Sequence, residues 1–238
     1  MPISKTDFIR GLQCEKMLWL DAHAPELRVI PPEIQAKLAA GNDFGDAVMS
    51  LFGAYVETTA YRADGRLDFA AMLKRTQELV LAGENVICEG SFSWYGNFCA
   101  ADILKKDGAG YALYEVKNSQ DVRKEFLLDL GFQRLIIRKC GVPLTSCFLI
   151  LRDDEKPPEN EKSRGQGCVE HVNHQGFALK IVDVTQQARA FEKTAETNIF
   201  PFGKIKKKDA EMPNISVGAH CDCPYRCWYY EHCHKITD

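Results

Sequence analysis

Residues 85–119 read NVICEGSFSWYGNFCAADILKKDGAGYALYEVKNS, and this stretch decides the fold. Three extended runs follow one another: residues 86–94, 97–105 and 110–117. Tyr95-Gly96-Asn97 and Lys106-Asp107-Gly108 separate them, with glycine where a tight turn needs positive φ. The pattern predicts an antiparallel meander with Glu89 on its first strand, Asp102 on its second, and Glu115 and Lys117 on its third. Residues two apart on a strand share a face, so Glu115 and Lys117 point to the same side while Val116 points to the other.

Carboxylates among apolar strand residues are costly to bury unless a cation pairs with them. Hard divalent ions such as Mg²⁺ or Mn²⁺ prefer oxygen ligands and fit that need. Asp102 and Glu115 supply two such oxygens, and the Val116 carbonyl is a third. Lys117 is then placed to orient or help deprotonate an attacking water and to stabilise charge on a scissile phosphate. An isolated Glu-Val-Lys reads first as a solvated edge strand. The acid inside the apolar run AADIL is what favours a site.

The chain has 238 residues, a formal net charge of −3 and ten cysteines. The length suits one large domain or two small ones. Overall charge does not mark a nucleic-acid binder, so local basic clusters carry that question. No apolar run reaches transmembrane length, and the first residues, MPISKTDFIRG, lack a signal-peptide core. A cytoplasmic protein with reduced thiols is expected, with no membrane association. In that setting ten cysteines point to metal binding rather than disulfides.

Before the meander, Ser4 reads as a helix N-cap with Asp7 completing a capping box, and Gly11 as a bend. Pro31-Pro32 opens a long helix to about Phe52, with Ile34, Leu38, Phe44, Val48 and Leu51 as its apolar stripe. Gly41 and Gly45 leave one face open to close approach, and Asn42 and Asp46 share a face. A short strand is expected at 56–61 and a helix over 67–82, capped by Gly83. After the meander a helix spans 122–139, carrying Gln133 among Arg123, Lys124, Arg134, Arg138 and Lys139. Those cations suit phosphate contacts or an ordinary solvated face. A strand over 145–151 follows. The polar stretch 152–174 reads as a surface loop. A strand over 177–182 and a helix over 185–197 come next. Lys204-Ile205-Lys206-Lys207-Lys208 is a solvated run or a backbone contact to nucleic acid.

Near the C-terminal end, Cys221, Cys223, Cys227 and Cys233 fall within thirteen positions, beside His220, His232 and His234. So dense a group points to a metal or cluster. Zinc takes four thiolates or a mixture with histidine; an iron–sulfur cluster takes four thiolates. If Cys14 is one of the ligands, the two ends of the chain are stapled together.

The order helix, strands, Asp, Glu-x-Lys, helix with Gln resembles the PD-(D/E)XK nuclease fold. The single early cysteine and late cysteine group are similar to the RecB-like exonucleases of CRISPR adaptation and to the AddB nuclease domain. The likeness runs nearly end to end, from Ser4-Lys5-Thr6-Asp7-Phe8 to Cys233, and PYRC before Cys227-x5-Cys233 is most similar to one branch of that group. It implies a restriction-endonuclease-like α/β fold with a mixed central sheet flanked by helices. It also implies a [4Fe-4S] cluster on Cys14, Cys221, Cys227 and Cys233, with Cys223 as the alternative to Cys221. Asp102, Glu115 and Lys117 match its catalytic triad, Glu89 resembles a fourth acid, and Gln133 matches the start of a Q-x3-Y motif that helps bind DNA. The sequence departs from that pattern twice. Asn42 stands where many relatives carry a metal-binding His, and Ile137 stands at the Tyr of Q-x3-Y.

The expectation is one nuclease domain over 1–238, with an iron–sulfur cap from 1–30 and 214–238. Its activity is Mg²⁺- or Mn²⁺-dependent exonuclease cleavage at single-stranded DNA ends. A CRISPR integrase or another defence or repair protein is the expected partner. The alternatives are a cluster-bearing DNA-binding adaptor with weak or no cleavage, and a zinc-bearing structural protein.

Overall fold

The computed structural model describes residues 1–154 and 169–235. The meander folds as the alternation predicts: β2 (Val86–Trp94), β3 (Asn97–Asp107) and β4 (Gly110–Lys117) pair antiparallel in sequence. A two-residue strand β1 (Val56–Glu57) adds parallel to β2. Beyond β4, the helix α5 (Lys124–Lys139) crosses over to β5 (Leu144–Arg152), which lies parallel to β4. That crossover is the connection a parallel pair needs. Strands β6 (Val169–His174) and β7 (Phe177–Asp183) then add antiparallel, giving a seven-stranded mixed sheet of order β1-β2-β3-β4-β5-β7-β6.

Helices cover both faces, as apolar strand faces require. On one side α5 packs with α6 (Thr185–Ile205) and with α1 (Lys5–Gln13), around Phe8, Leu104, Leu113, Phe132, Leu149 and Phe202. On the other side Phe44 and Val48 of α3 (Pro32–Val48) meet Val86, Ile103, Tyr114 and Ile150. The helix α4 (Phe69–Ala82) lies against β2. A third apolar cluster joins Met17 and Leu20 of α2 (Glu15–His23) to Cys227 and Tyr229, just before the short α7 (Tyr230–Lys235). No helix among the described residues is long and apolar enough to cross a membrane.

The capping box at α1 forms: the Asp7 amide donates to Ser4 Oγ at 3.2 Å and the Ser4 amide to Asp7 Oδ2 at 2.8 Å. Several local expectations are corrected. Gly11 does not bend the chain; it lies inside α1, where a Cβ would stand 2.7 Å from the Phe202 ring. The break between the first two helices falls at Cys14. Leu38 is not part of a buried stripe but 51 % exposed, and residues 35–40 of α3 are exposed with it. The strand expected over 56–61 shrinks to two residues. The helix α6 continues past Thr197 to Ile205 with Pro201 inside it, held by buried Ile199 and Phe202. Part of the expected polar loop is strand β6, whose polar side chains suit a sheet edge; residues 155–168, including Cys168, lie outside the described residues.

Candidate active site and cysteine cluster

The register that pairs Ile103 with Tyr114 brings Asp102 of β3 level with Glu115 of β4. Asp102 Oδ2 accepts the Val116 amide at 2.7 Å, which fixes its orientation. Glu115 is the hub. Its Oε1 accepts from Lys117 Nζ at 2.6 Å and from Lys5 Nζ at 3.0 Å, and its Oε2 from Gln133 Nε2 at 2.6 Å. Lys117 also donates to Asp129 Oδ2 at 2.8 Å, and Gln133 to Asp129 Oδ1 at 3.0 Å. Asp129 and Gln133 are one helical turn apart on α5 and share its buried face.

Lys5 and Asp129 are the members that sequence reading missed. Lys5 opens α1, and its Nζ lies 3.0 Å from Glu115, 3.8 Å from Asp129 and 3.9 Å from Asp102. Only the tertiary meeting of α1, β4 and α5 reveals them.

The group opens into a cleft of about 710 Å³ walled by Asn42, Gly45 and Asp46 of α3, Glu89 of β2, and Arg123. Asn118 Nδ2 donates to the Ala40 carbonyl at 3.1 Å and ties α3 to the end of β4. A Cβ on Gly41 or Gly45 would meet nothing within 4 Å, so the open helix face borders the cleft rather than another segment. Tyr225, from the cysteine-rich segment, closes one side of the cleft. Gln13 Nε2 holds that segment by donating to the Tyr225 carbonyl at 2.6 Å and the His220 carbonyl at 2.8 Å.

Two expected roles change. Gln133 is fully buried, so it orients Glu115 and Asp129 and does not touch a ligand directly. The cations on α5 are largely spent within the fold. Arg134 is buried and donates to Glu192 at 3.3 Å, Arg138 pairs with the same Glu192, and Lys139 lies 3.2 Å from Glu196. Ile137 is fully buried in the core.

Electrostatics mark the cluster as short of positive charge. Four carboxylates, Glu89, Asp102, Glu115 and Asp129, face two ammonium groups, Lys5 and Lys117. Burial and then the charge of Asp102 push Glu89 up to about 8. Burial and then Glu115 push Asp102 up to about 6, against Lys5 and Lys117. Glu115 itself is buried, yet Lys117 and Lys5 hold it well below the carboxylate range. Lys117 is also buried, but Asp129 and Glu115 outweigh that and raise its pKa, so it is an ammonium donor at neutral pH. Gln133 Oε1 is buried without a hydrogen-bond partner among the described residues. Four carboxylates against two ammonium groups, with Glu89, Asp102 and Asp129 all raised, fit a divalent cation held by Asp102 and Glu115.

These shifts make a prediction for protein freed of Mg²⁺ and Mn²⁺. Folded Glu89 binds its proton more tightly than an unfolded Glu near 4.5. Stability therefore falls as pH rises from about 4.5 to about 8 and levels off above that. Asp102 acts in the same direction between 3.8 and about 6, whereas the contribution of Glu115 is lost only below that window. Thermal unfolding followed across the window should show this decline, with added Mg²⁺ stabilising most at its upper end. A midpoint that climbs steadily to pH 8 contradicts the assignment.

The second site lies where the two ends of the described chain meet. Cys14, Cys221, Cys227 and Cys233 line one small cavity with Met17, Leu20 and Tyr229. The Val29 amide donates to the Trp228 carbonyl at 2.8 Å, and the Tyr229 hydroxyl to Asp21 at 2.8 Å, so residues near the start grip residues near the end. Burial, followed by Cys14, Cys233 and Cys221, pushes the Cys227 thiol up to about 11. Thiols that raise one another in this way fit a shared soft cation, which relieves the repulsion of their thiolates. Cys221 is buried and Cys223 exposed, which separates the two alternatives in favour of Cys221. Cys88, Cys99 and Cys147 are buried, and none of them lines this cavity.

A scan against protein-family models gives no match, and a search of curated proteins gives none either. The chemistry of the two sites therefore rests on their geometry.

Proposed function

We propose that the cleft is the centre of a metal-dependent deoxyribonuclease of PD-(D/E)XK type, acting on single-stranded DNA ends. The observation that carries this reading is the convergence of Glu89, Asp102, Glu115, Lys5 and Lys117 in one open cleft, with Asp129 buried behind the two lysines. A bound Mg²⁺ or Mn²⁺ supplies Lewis-acid charge to the phosphate and makes water a stronger nucleophile. Asp102 and Glu115 would hold the ion, with Glu89, Asn42 and Val116 lining the same cleft. Lys117, fixed as an ammonium by Glu115 and Asp129, orients the water and stabilises charge as the phosphorane forms. Gln133 and Asp129 keep that lysine and Glu115 in place. Arg123 and Lys37 at the rim meet flanking phosphates.

In the same reading, Cys14, Cys221, Cys227 and Cys233 hold a [4Fe-4S] cluster that clamps the terminal segments. Its contribution is structural: it fixes the segment that places Tyr225 at the cleft. Iron content and colour of anaerobically purified protein distinguish this from zinc.

The second reading, a DNA-binding subunit that does not cut, draws on Asn42, a neutral ligand on the cleft wall where an imidazole would bind more tightly. Both readings meet one test, incubation of end-labelled single-stranded DNA with Mn²⁺ or Mg²⁺. Shortening of the label supports the nuclease. Asn42→His should raise the Mn²⁺-supported rate several-fold and the Mg²⁺-supported rate less, because imidazole suits the softer ion. Wild type and Asn42→His that both bind metal and DNA without cutting favour the adaptor.

A further inference from the structure

The β2–β3 hairpin carries a feature that neither site uses. Its turn residues, Tyr95 and Gly96, both have positive φ, 50° and 80°. A two-residue turn of this kind favours Asn, Asp or Gly at both positions, and an aromatic residue there is strained. The strained ring is not repaid by burial: Tyr95 is 78 % exposed. The base of the turn is rigid, with Asn97 Nδ2 donating to the Trp94 carbonyl at 3.0 Å and the Ile3 amide to Asn97 Oδ1 at 2.9 Å.

Around that turn stands an aromatic group. Trp94 and Tyr95 have ring centroids 5.1 Å apart, Trp94 and Phe200 5.6 Å, and Tyr95 and Phe200 6.2 Å. Phe200 is 48 % exposed. Beside the rings lies a cavity of about 360 Å³ lined by Lys204 and Lys207, and no carboxylate lines it among the described residues. Lys139 Nζ sits 5.1 Å over the Trp94 ring. Lys139 is paired with Glu196, but Lys204 and Lys207 face no carboxylate in that cavity, and exposed π-faces beside such cations match one chemistry: unpaired bases stack on the rings and phosphates meet the lysines. A duplex keeps its base faces covered by its own stacking and cannot use the rings in this way.

We propose that Tyr95, Phe200, Lys204 and Lys207 form a second binding site, for single-stranded DNA running toward the cleft. Between Asn97 and Ala101 β3 pairs with β2 on one side and, at Phe98, with Ser4 of the N-terminal segment on the other, while β4 pairs only from Ile103 onward, so the hairpin extends past the β3–β4 pairing at the catalytic end of the sheet. Five residues of strand separate Asn97 from Asp102, about 17 Å. A strand held by the hairpin thus has a few nucleotides of reach to the carboxylates. The site deepens the nuclease reading and rests on it for the choice of DNA over other single strands.

The decisive variant is Tyr95→Asn, which relieves the strained turn while removing the ring. Its thermal midpoint should equal or exceed that of wild type, and its affinity for fluorescent oligothymidylate, measured without Mg²⁺ or Mn²⁺, should fall roughly tenfold. Its affinity for blunt duplex should not change. Replacing Lys204 and Lys207 with Gln should lower the slope of log affinity against log salt by about 1.4. If Tyr95→Asn binds oligothymidylate as tightly as wild type, or loses duplex and single strand alike, the second site is overturned. Wild type that binds the oligonucleotide but never cuts it with metal overturns the nuclease reading alone. Wild type with no affinity for the oligonucleotide overturns both.

Discussion

Glu115→Gln is expected to lower metal-dependent DNA cleavage by on the order of a thousandfold while leaving DNA binding nearly intact. The side chain keeps its shape and loses its charge, and three contacts change at once. Lys5 and Lys117 lose the anion that both share, at 3.0 and 2.6 Å, and Gln133 faces an amide in place of a carboxylate at 2.6 Å. Breaking a buried ion pair by removing one partner costs about 3–5 kcal/mol when the other is stranded. Lys117 retains Asp129 at 2.8 Å, so the cost here lies toward the low end of that range and the fold survives. Titration of Mn²⁺ into the variant should show weakened binding, and circular dichroism should show an unchanged fold. Cleavage at the wild-type rate, with Mn²⁺ affinity also unchanged, removes Glu115 from the site.

Cys14→Ser is expected to strip iron from the protein and to destabilise it more than a change at any cysteine outside that cavity. Cys14 and Cys221 are roughly 200 residues apart. In the chain-entropy account, a cross-link closing so long a loop is worth about 5 kcal/mol, to which the free energy of the ligand bonds adds. Cys227→Ser and Cys233→Ser should behave alike, because these thiols line the same cavity. Cys223→Ser and Cys140→Ser should retain iron and colour, since both side chains are exposed and neither lines it. Full iron content in Cys14→Ser would separate the two ends of the chain. Zinc in place of iron would leave the staple and change its chemistry.

The sheet was legible because its code is local. Alternation in VICEGSFSW and NFCAADILKKD, with Gly96 and Gly108 between strands, placed the meander within two residues of its observed bounds. Asp102, Glu115 and Lys117 were legible because charges inside apolar strands are conspicuous. Asp129 was not: in LLDLGFQ it reads as the polar face of an amphipathic helix, and its burial follows only from α5 lying on the sheet. Lys5 was hidden in the same way beside an obvious N-cap. Arg134 and Arg138 misled for the opposite reason, since both turn to Glu192, more than fifty positions away. The choice between Cys221 and Cys223 needed the third dimension, because spacing alone treats them alike. Tyr225 reached the cleft unannounced, carried there by the cysteine-rich segment.

The most direct measurement of the central claim is single-turnover shortening of end-labelled single-stranded DNA by wild type and by Lys117→Ala, with and without Mn²⁺. Lys117 touches both Glu115 and Asp129, and its positive charge is assigned to the transition state rather than to the bound DNA. The account predicts that wild type cuts only when Mn²⁺ is present. It also predicts that Lys117→Ala binds the same DNA with nearly equal affinity but cuts it about a hundred to a thousand times more slowly. A wild type that binds Mn²⁺ and DNA and leaves the label intact, or a Lys117→Ala that cuts as fast as wild type, contradicts it.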